Sequence, residues 1–315
     1  MTETGNRRQL NDRKTYRQGL AAALGCSTLW GLIPIYWQSL RPINSEVIIL
    51  YRIVMMAIVC FIGSVIFYGF KETIKPLISD KKLILTHIAT GILITANWSL
   101  YIWAVNANFV IQTCMGYFLE PLVVCAFGVV IFKEKLNKSK KAALIMALLG
   151  LGVMVAGYKE IPLIALGLAG TFSVYAAIKK NVKTKPMQSL FYETLFLLPI
   201  ALLLIVRMET AGNGALAVCS AGGASLLSGL FSVKFLLLLL SGLFTAIPLG
   251  LFSLAATKLP LVTLGLTEYM SPSLSLILGI FLFKEPFDSI QFTAFVLIWI
   301  GLSFFTYGEV KDDRR

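Results

Sequence analysis

Charge is scarce in this chain, and histidine is almost absent. Asp, Glu, Lys and Arg make up 14% of the 315 residues, and His87 is the one histidine. A soluble domain carries roughly twice that share of charge. Here 57% of the residues are hydrophobic, more apolar surface than one water-exposed core can bury. A lipid bilayer is the solvent that such a composition fits. With a single histidine there is no His-Glu-x-x-His motif and no metal cluster. No Ser-His pair shows itself at a common depth either, so a membrane-embedded enzyme is poorly supported. His87 falls near the inner end of a span and reads as an interfacial residue. No Gly-Lys dipeptide occurs, which excludes a Walker A loop and an ATP-driven motor. Cys-x-x-Cys pairing is also missing. Cys26, Cys60, Cys114 and Cys125 lie in apolar stretches and Cys219 in a connecting segment, as small packing residues do. No cofactor is implied.

Acidic residues are the scarcer sign, 16 against 28 basic, for a net charge of +12. The basic residues form short clusters between apolar runs rather than one stripe, which argues against nucleic acid and for membrane topology. A helix needs about 20 apolar residues to cross the hydrocarbon. Ten stretches qualify: 19–37, 47–70, 83–105, 109–132, 142–158, 162–178, 189–206, 235–257, 261–283 and 290–307. With a cytoplasmic N-terminus, nearly all Lys and Arg fall inside, from Arg7, Arg8, Arg13, Lys14 and Arg17 to Lys311, Arg314 and Arg315. Outside stand only Arg41, Lys159, Arg207, Lys234 and Lys284, with Arg52 inside the second span. The positive-inside rule then places both termini in the cytoplasm and the chain in the cell membrane. An Arg-rich start before Leu24-Gly25-Cys26 has the look of a lipoprotein cleavage site. The apolar run continues well past the cysteine, however, so an uncleaved first span is expected.

A shift of 151 residues aligns the two halves of the chain. Pro121, Gly128 and Phe132-Lys133-Glu134 meet Pro272, Gly279 and Phe283-Lys284-Glu285 without a gap, and Gly91, Ala104, Ala143, Gly150 and Gly157 meet Gly242, Ala255, Ala294, Gly301 and Gly308. Near the start of each half the offset drifts, so that Tyr51-Arg52 faces Tyr192-Glu193. The expected organisation is a basic tail (1–18), a first five-helix repeat (19–158), a second (159–308) and a short tail (309–315). Five is odd, so the second repeat enters the membrane inverted. Secondary transporters built this way hold their substrate near the midplane between repeats.

Several stretches then become recognisable. They are Trp30-Gly31-Leu32-Ile33-Pro34-Ile35-Tyr36-Trp37, Asn97-Trp98 with Tyr101-Ile102-Trp103-Ala104-Val105-Asn106, and Gly116-Tyr117-Phe118 before Pro121. Later come Tyr192-Glu193-Thr194, Leu198-Pro199, Leu259-Pro260-Leu261, Thr263-Leu264-Gly265 and Phe283-Lys284-Glu285-Pro286-Phe287. Over nearly its whole length the chain resembles the EamA-type drug/metabolite transporter superfamily, in its RarD branch. The resemblance implies ten transmembrane helices as two inverted repeats around a central cavity, and a permease, often an exporter, of small metabolites. The branch pattern carries amides where this chain has Glu120 and Glu268, which implies a more acidic cavity and a different cargo.

Ionisable groups inside spans cost a few kcal/mol unless they face a wet cavity or a partner, so they are functional candidates. Arg52, Glu120, Glu193 and Glu268 are such groups. Glu120 directly precedes Pro121 and Glu268 lies one helical turn before Pro272, so the repeat sets both near its centre. Together they suit an ammonium group or a proton. The structural alternative is an ion pair, such as Glu120 with Arg52. Glu193 reads as structural, within reach of Lys179 or Lys185. Trp30, Trp98, Trp103, Tyr117, Tyr175 and Tyr269 offer aromatic faces to a cation or a ring, with plain packing the alternative for each. Trp37 reads as an interface anchor. Asn97, Gln112 and Thr113 add hydrogen-bonding groups, for substrate or for helix contacts. The Lys133-Glu134 and Lys284-Glu285 pairs read as landmarks that stabilise span ends.

The leading expectation is a secondary transporter, an exporter of a small polar or amphipathic metabolite. Uptake of a small cationic or amino-acid-like solute is the alternative. The partners implied are the small-molecule substrate, the bilayer and protons, for a monomer or homodimer. A channel or receptor has less support, because no ring of like side chains is visible.

Overall fold

The protein is described from a computed structural model that covers residues 3–107, 109–159, 163–220, 229–284 and 288–313. Pro162, Glu285, Pro286 and Phe287, which the sequence reading used, lie outside the described residues. Every regular element among the described residues is a helix: α1 Glu3–Ser39, α2 Ser45–Tyr68, α3 Phe70–Ser79, α4 Lys81–Asn106, α5 Val110–Val130, α6 Lys138–Tyr158, α7 Leu163–Lys180, α8 Pro186–Leu195, α9 Leu198–Thr210, α10 Ala215–Cys219, α11 Val233–Leu239, α12 Ser241–Lys258, α13 Leu261–Glu268, α14 Met270–Phe281 and α15 Ser289–Asp313. Among the described residues nine stretches are long and apolar enough to cross a membrane, or ten if the bent pair α8 and α9 is counted as one span. The chain is a multi-pass, all-α membrane protein.

Three departures from the sequence reading have local causes. The seventh span is not one helix, because α8 and α9 meet at 56°. Pro199, in the first turn of α9, has no N–H to return to the Leu195 carbonyl, so the helix breaks there. The ninth stretch remains one span over Leu261–Phe281 but is interrupted for a single residue at Tyr269, where Pro272 cannot bond the Glu268 carbonyl. The segment after α2, expected as a basic connection, folds into α3. Gly69, at φ 89°, ends α2 and starts α3, a backbone state that favours glycine.

The residues form two compact units. The first holds 1–32, 93–182 and 251–315, the second 33–92 and 183–250, so α1, α4 and α12 contribute to both. In the first unit α6 packs on α15 through glycines. A Cβ added to Gly150 would stand 3.0 Å from the Ala294 carbonyl oxygen, and Gly157 abuts Ile290. Shifted by 151, the same contacts recur: Gly301 on the Ala143 carbonyl, also 3.0 Å, and Gly308 on Ser139. Partner numbers fall as glycine numbers rise, so the two helices run antiparallel. In lipid, association depends on such close backbone approach, because the tails are as apolar as the side chains. Capping repeats too. Asn137 accepts from the Lys140 N–H and Asp288 from the Gln291 N–H, each at 2.8 Å. Lys133 and Lys284 share a left-handed backbone, at φ 52° and 56°. Around this seam lies an apolar core that includes Met115, Phe118, Leu266, Phe295 and Ile298.

In the second unit α2 packs against α8 and α9. Gly91 lies against the Glu193 backbone and Gly242, 151 residues later, against that of Met55, with no room for a side chain at either. Tyr51 donates to Glu209 at 2.8 Å, and Glu209 in turn accepts from the Ala215 N–H at 2.7 Å to start α10.

Candidate functional site

All the candidates except Arg52 and Glu193 fall in the first unit. Glu268 ends α13 at the Pro272 break and is 5% exposed. Neither of its carboxylate oxygens has a hydrogen-bond partner among the described residues. A buried, unsatisfied carboxylate is expensive, so it needs a cation, a proton or water to complete it. Glu120, half-buried on α5, lies within electrostatic reach of it, as do Cys26 of α1 and Cys125 of α5. Backbone packing explains how α5 and α13 bring the two acids together. A Cβ on Gly265 would stand 2.7 Å from the Pro121 carbonyl oxygen, so these helices touch main chain to main chain. Tyr269 ties the same junction, donating its hydroxyl to the Phe118 carbonyl at 2.9 Å.

Trp30 follows Cys26 by four residues and so shares its face of α1. It heads an aromatic group: its ring centroid is 5.8 Å from Phe172 and 5.7 Å from Phe252, and Tyr175 stacks 6.0 Å from Phe252. Tyr175 is fully buried, with the Lys179 ammonium 5.4 Å from its ring. Phe172 and Phe252 escaped the sequence reading, because a phenylalanine in a Leu-rich span carries no signal of its own.

The other candidates separate. Asn97 donates to the Leu168 carbonyl at 2.8 Å and to Thr171 at 3.0 Å, a tie between α4 and α7. Gln112 accepts the Ile164 N–H at 3.1 Å, at the start of α7. Tyr117 is hydrogen-bonded to Tyr101, their rings 5.8 Å apart, beside Glu120. Trp98 is half-buried on α4, and Trp103 is 54% exposed with its ring on Phe109. Arg52 belongs to the second unit, its guanidinium 5.3 Å from the Trp37 ring centre, whereas Glu120 belongs to the first. Glu134 stabilises a helix start. Its two oxygens accept the Leu261 and Val262 N–H groups at 2.7 and 2.9 Å, with Lys180 3.3 Å away.

His87 is buried on α4 against other helices, and its Nε2 lies 3.1 Å from Ser189 Oγ, a pairing across about a hundred residues that no local spacing reveals. Glu193, buried, accepts from Thr90 at 3.0 Å and meets Ser189 at 3.3 Å. Lys185 lies over the Tyr68 ring at 4.3 Å.

Comparison with known proteins places this arrangement. A family model described as the EamA-like transporter family matches residues 17–156. The Bacillus subtilis (strain 168) protein named Uncharacterized transporter YojE is 36% identical, the match covering 91% of this chain and 92% of that protein. Protein RarD of Streptomyces exfoliatus is 33% identical over 95% and 91%, and Protein RarD of Escherichia coli (strain K12) 29% identical over 96% and 99%. A chain of known crystal structure superposes with a TM-score of 0.66 at 14% identity, covering 92% of this chain and 97% of that one, a likeness of fold alone.

Proposed function

This chain belongs to the EamA-like transporter family, in its RarD branch, and is a membrane transporter; from that premise we propose that it is a secondary carrier of a small organic cation held at Glu268 and Glu120. The observation that carries the reading is Glu268: a buried carboxylate with neither oxygen partnered among the described residues, beside a second acid. Two neighbouring carboxylates in an apolar interior are incomplete without positive charge. The Trp30, Phe172, Phe252 and Tyr175 rings supply faces suited to an ammonium or an aromatic cargo. The cargo class is therefore an amphipathic amine, matched by one charge and one apolar body.

The route is alternating access between inverted repeats with both termini cytoplasmic. Supporting it are the antiparallel α6 and α15, whose glycine contacts interchange under the 151-residue shift, and the paired caps Asn137 and Asp288. Proline breaks beside Glu268 and within α8 and α9 give two places where helices can bend during that exchange.

The test starts with an unbiased comparison of metabolite pools in cells lacking or overproducing the protein. Amines found there are then assayed by counterflow in proteoliposomes. Saturable counterflow that drops at least about tenfold in Glu268→Gln is the expected result, a loss that size corresponding to a buried charged contact. Unchanged counterflow and unchanged pH dependence in both Glu120→Gln and Glu268→Gln sink the assignment.

A further inference from the structure

Helix α3, in the second unit, carries its side chains in an order that suits the surface of a membrane. Its ten residues, Phe70–Ser79, turn by about 100° each. Leu77, Phe70, Ile74 and Ile78 therefore share one arc, and Phe70 and Ile78 are 59% and 81% exposed. Lys71 and Lys75, four residues apart and both exposed, follow along one edge of that arc. Buried Thr73 marks the other edge, and exposed Glu72 and Ser79 fall on the far side. This is the pattern of a helix lying in the interface: the apolar arc rests among the upper acyl carbons and the lysine stems reach phosphate depth. Exposed to water, the same arc would be a costly surface.

The Thr73 edge is bolted to the protein. Pro76 has no N–H, so it leaves the Glu72 carbonyl without its helical partner. Gln188 of α8 donates to that carbonyl at 3.1 Å, and Tyr192, one turn further along α8, donates its hydroxyl to the Thr73 carbonyl at 2.7 Å. The Thr73 hydroxyl also lies 2.7 Å from Ser64 Oγ of α2. These contacts fix the rotation of α3 about its own axis, so Phe70 and Ile78 cannot roll inward to join a protein core.

Where the apolar arc meets the lysine edge runs a groove of about 310 Å³, lined by Phe70, Lys71, Ile74 and Lys75. Two ammonium groups beside an apolar floor match one anionic headgroup and the first carbons of its chains. We propose that this groove binds an anionic phospholipid, its phosphate between Lys71 and Lys75, and that the bound lipid sets the position of α8 through Gln188 and Tyr192. The repeat shows that lysines are not needed to build such a connection. The corresponding one in the second half, residues 211–233, has no Lys or Arg. With the N-terminus inside, the lysine-bearing connection meets the cytoplasmic leaflet and the bare one meets the other leaflet. Further charge near α3 favours the same ligand. Lys81, Lys82, Lys183 and Lys185 are exposed as well, against the acids Glu72 and Asp80. Glu72 lies on the water side of α3, and Asp80 accepts the Leu83 N–H at 2.9 Å to start α4.

The lipid site stands on this geometry; its effect on transport rests on the carrier reading above. Native mass spectrometry of the full-length protein in detergent, titrated with phosphatidylglycerol or with phosphatidylcholine of the same chains, reads the first. Phosphatidylglycerol is expected to be retained preferentially, with an affinity that falls about fivefold for each lysine removed and about 25-fold in Lys71→Gln/Lys75→Gln. Lys81→Gln/Lys82→Gln is the control, expected to keep most of it. An equal fall in the control marks diffuse attraction to a basic surface and overturns the site. Equal retention of the two lipids overturns it too, as does undiminished retention in Lys71→Gln/Lys75→Gln. Amine counterflow in phosphatidylcholine vesicles, with and without phosphatidylglycerol, reads the second. The parent is expected to respond to phosphatidylglycerol and Lys71→Gln/Lys75→Gln is not. Gln188→Leu/Tyr192→Phe is expected to retain the lipid, which shows that it is folded, yet not to respond. A response that persists in both variants overturns the link to α8. Selective retention without amine counterflow sinks the carrier reading and leaves the lipid site, and counterflow with unselective retention does the reverse.

Discussion

Gly150 and Ala294 meet so closely that a Cβ on the glycine would stand 3.0 Å from the alanine carbonyl, and Gly301 with Ala143 repeats that contact at the same distance. Neither backbone can retreat without moving its helix. Gly150→Val and Gly301→Val are therefore each expected to cost about 1–3 kcal/mol, the usual range for overpacking. Thermal unfolding in detergent, followed by tryptophan fluorescence, reads the loss. Gly152, with nothing within 4 Å of an added Cβ, is the control. A Gly150→Val protein that melts with Gly152→Val would show that the seam is looser than described.

Glu134 makes a second, local prediction. Its carboxylate is the cap of α13, two turns before Glu268, and it also faces Lys180. Removing a side-chain cap typically costs about 1 kcal/mol. Glu134→Ala should therefore speed hydrogen exchange at the Leu261 and Val262 amides while leaving those of α6 unchanged. Glu134→Gln should fall between, since the amide keeps one acceptor. Equal exchange in all three proteins would mean that the cap contributes nothing.

What the sequence revealed, and what it hid, follows from the range of each interaction. Helices in lipid announce themselves by composition, because each span must satisfy its own backbone, so their existence was readable. Pro199 and Pro272 were visible too. Whether a proline bends or breaks its helix depends on packing, however, and Pro121 lies inside unbroken α5 while the other two mark breaks. Glu120 and Glu268 stood out as charges in apolar runs. Phe172 and Phe252 did not, since their role comes only from meeting Trp30. The contact of His87 was hidden for the same reason, as its partner Ser189 lies 102 residues away and on a different helix.

At the far end of the seam, Asp288 joins pH to stability. Burial alone would raise its carboxyl, but hydrogen bonds from the Tyr158 hydroxyl and from the Gln291 and Ile290 N–H groups hold it below the usual carboxylate range. A group whose folded value is depressed contributes stability above its unfolded value, about 4 for Asp. That contribution is lost as pH falls through the folded value. Asp288→Asn should thus melt earlier than the parent at pH 7, and the gap should close as the pH is lowered below about 4. A constant gap from pH 7 to pH 3 would assign the effect to something other than ionisation. Asn137, the matching cap of α6, is not ionisable and supplies no such term.

The aromatic group gives the sharpest test of how cargo is held. If an ammonium sits between Glu268 and the Trp30 face, Trp30→Phe keeps a weaker π surface and Trp30→Ala keeps none. A cation over an aromatic ring is worth about 0.5–2 kcal/mol, or roughly 2- to 30-fold in apparent affinity, with tryptophan the strongest. The expected order of half-saturation for an amine substrate is parent, then Trp30→Phe, then Trp30→Ala, with the maximal rate changed less than the affinity. Trp103→Ala should match the parent, because that ring is 54% exposed and rests on Phe109. A neutral cargo of the same shape should lose its dependence on Glu268 but keep part of its dependence on Trp30, since packing against the ring survives without charge. If Trp30→Phe and Trp30→Ala prove equal for the amine, the ring only fills space, and the positive charge must be answered by Glu268 and Glu120 alone.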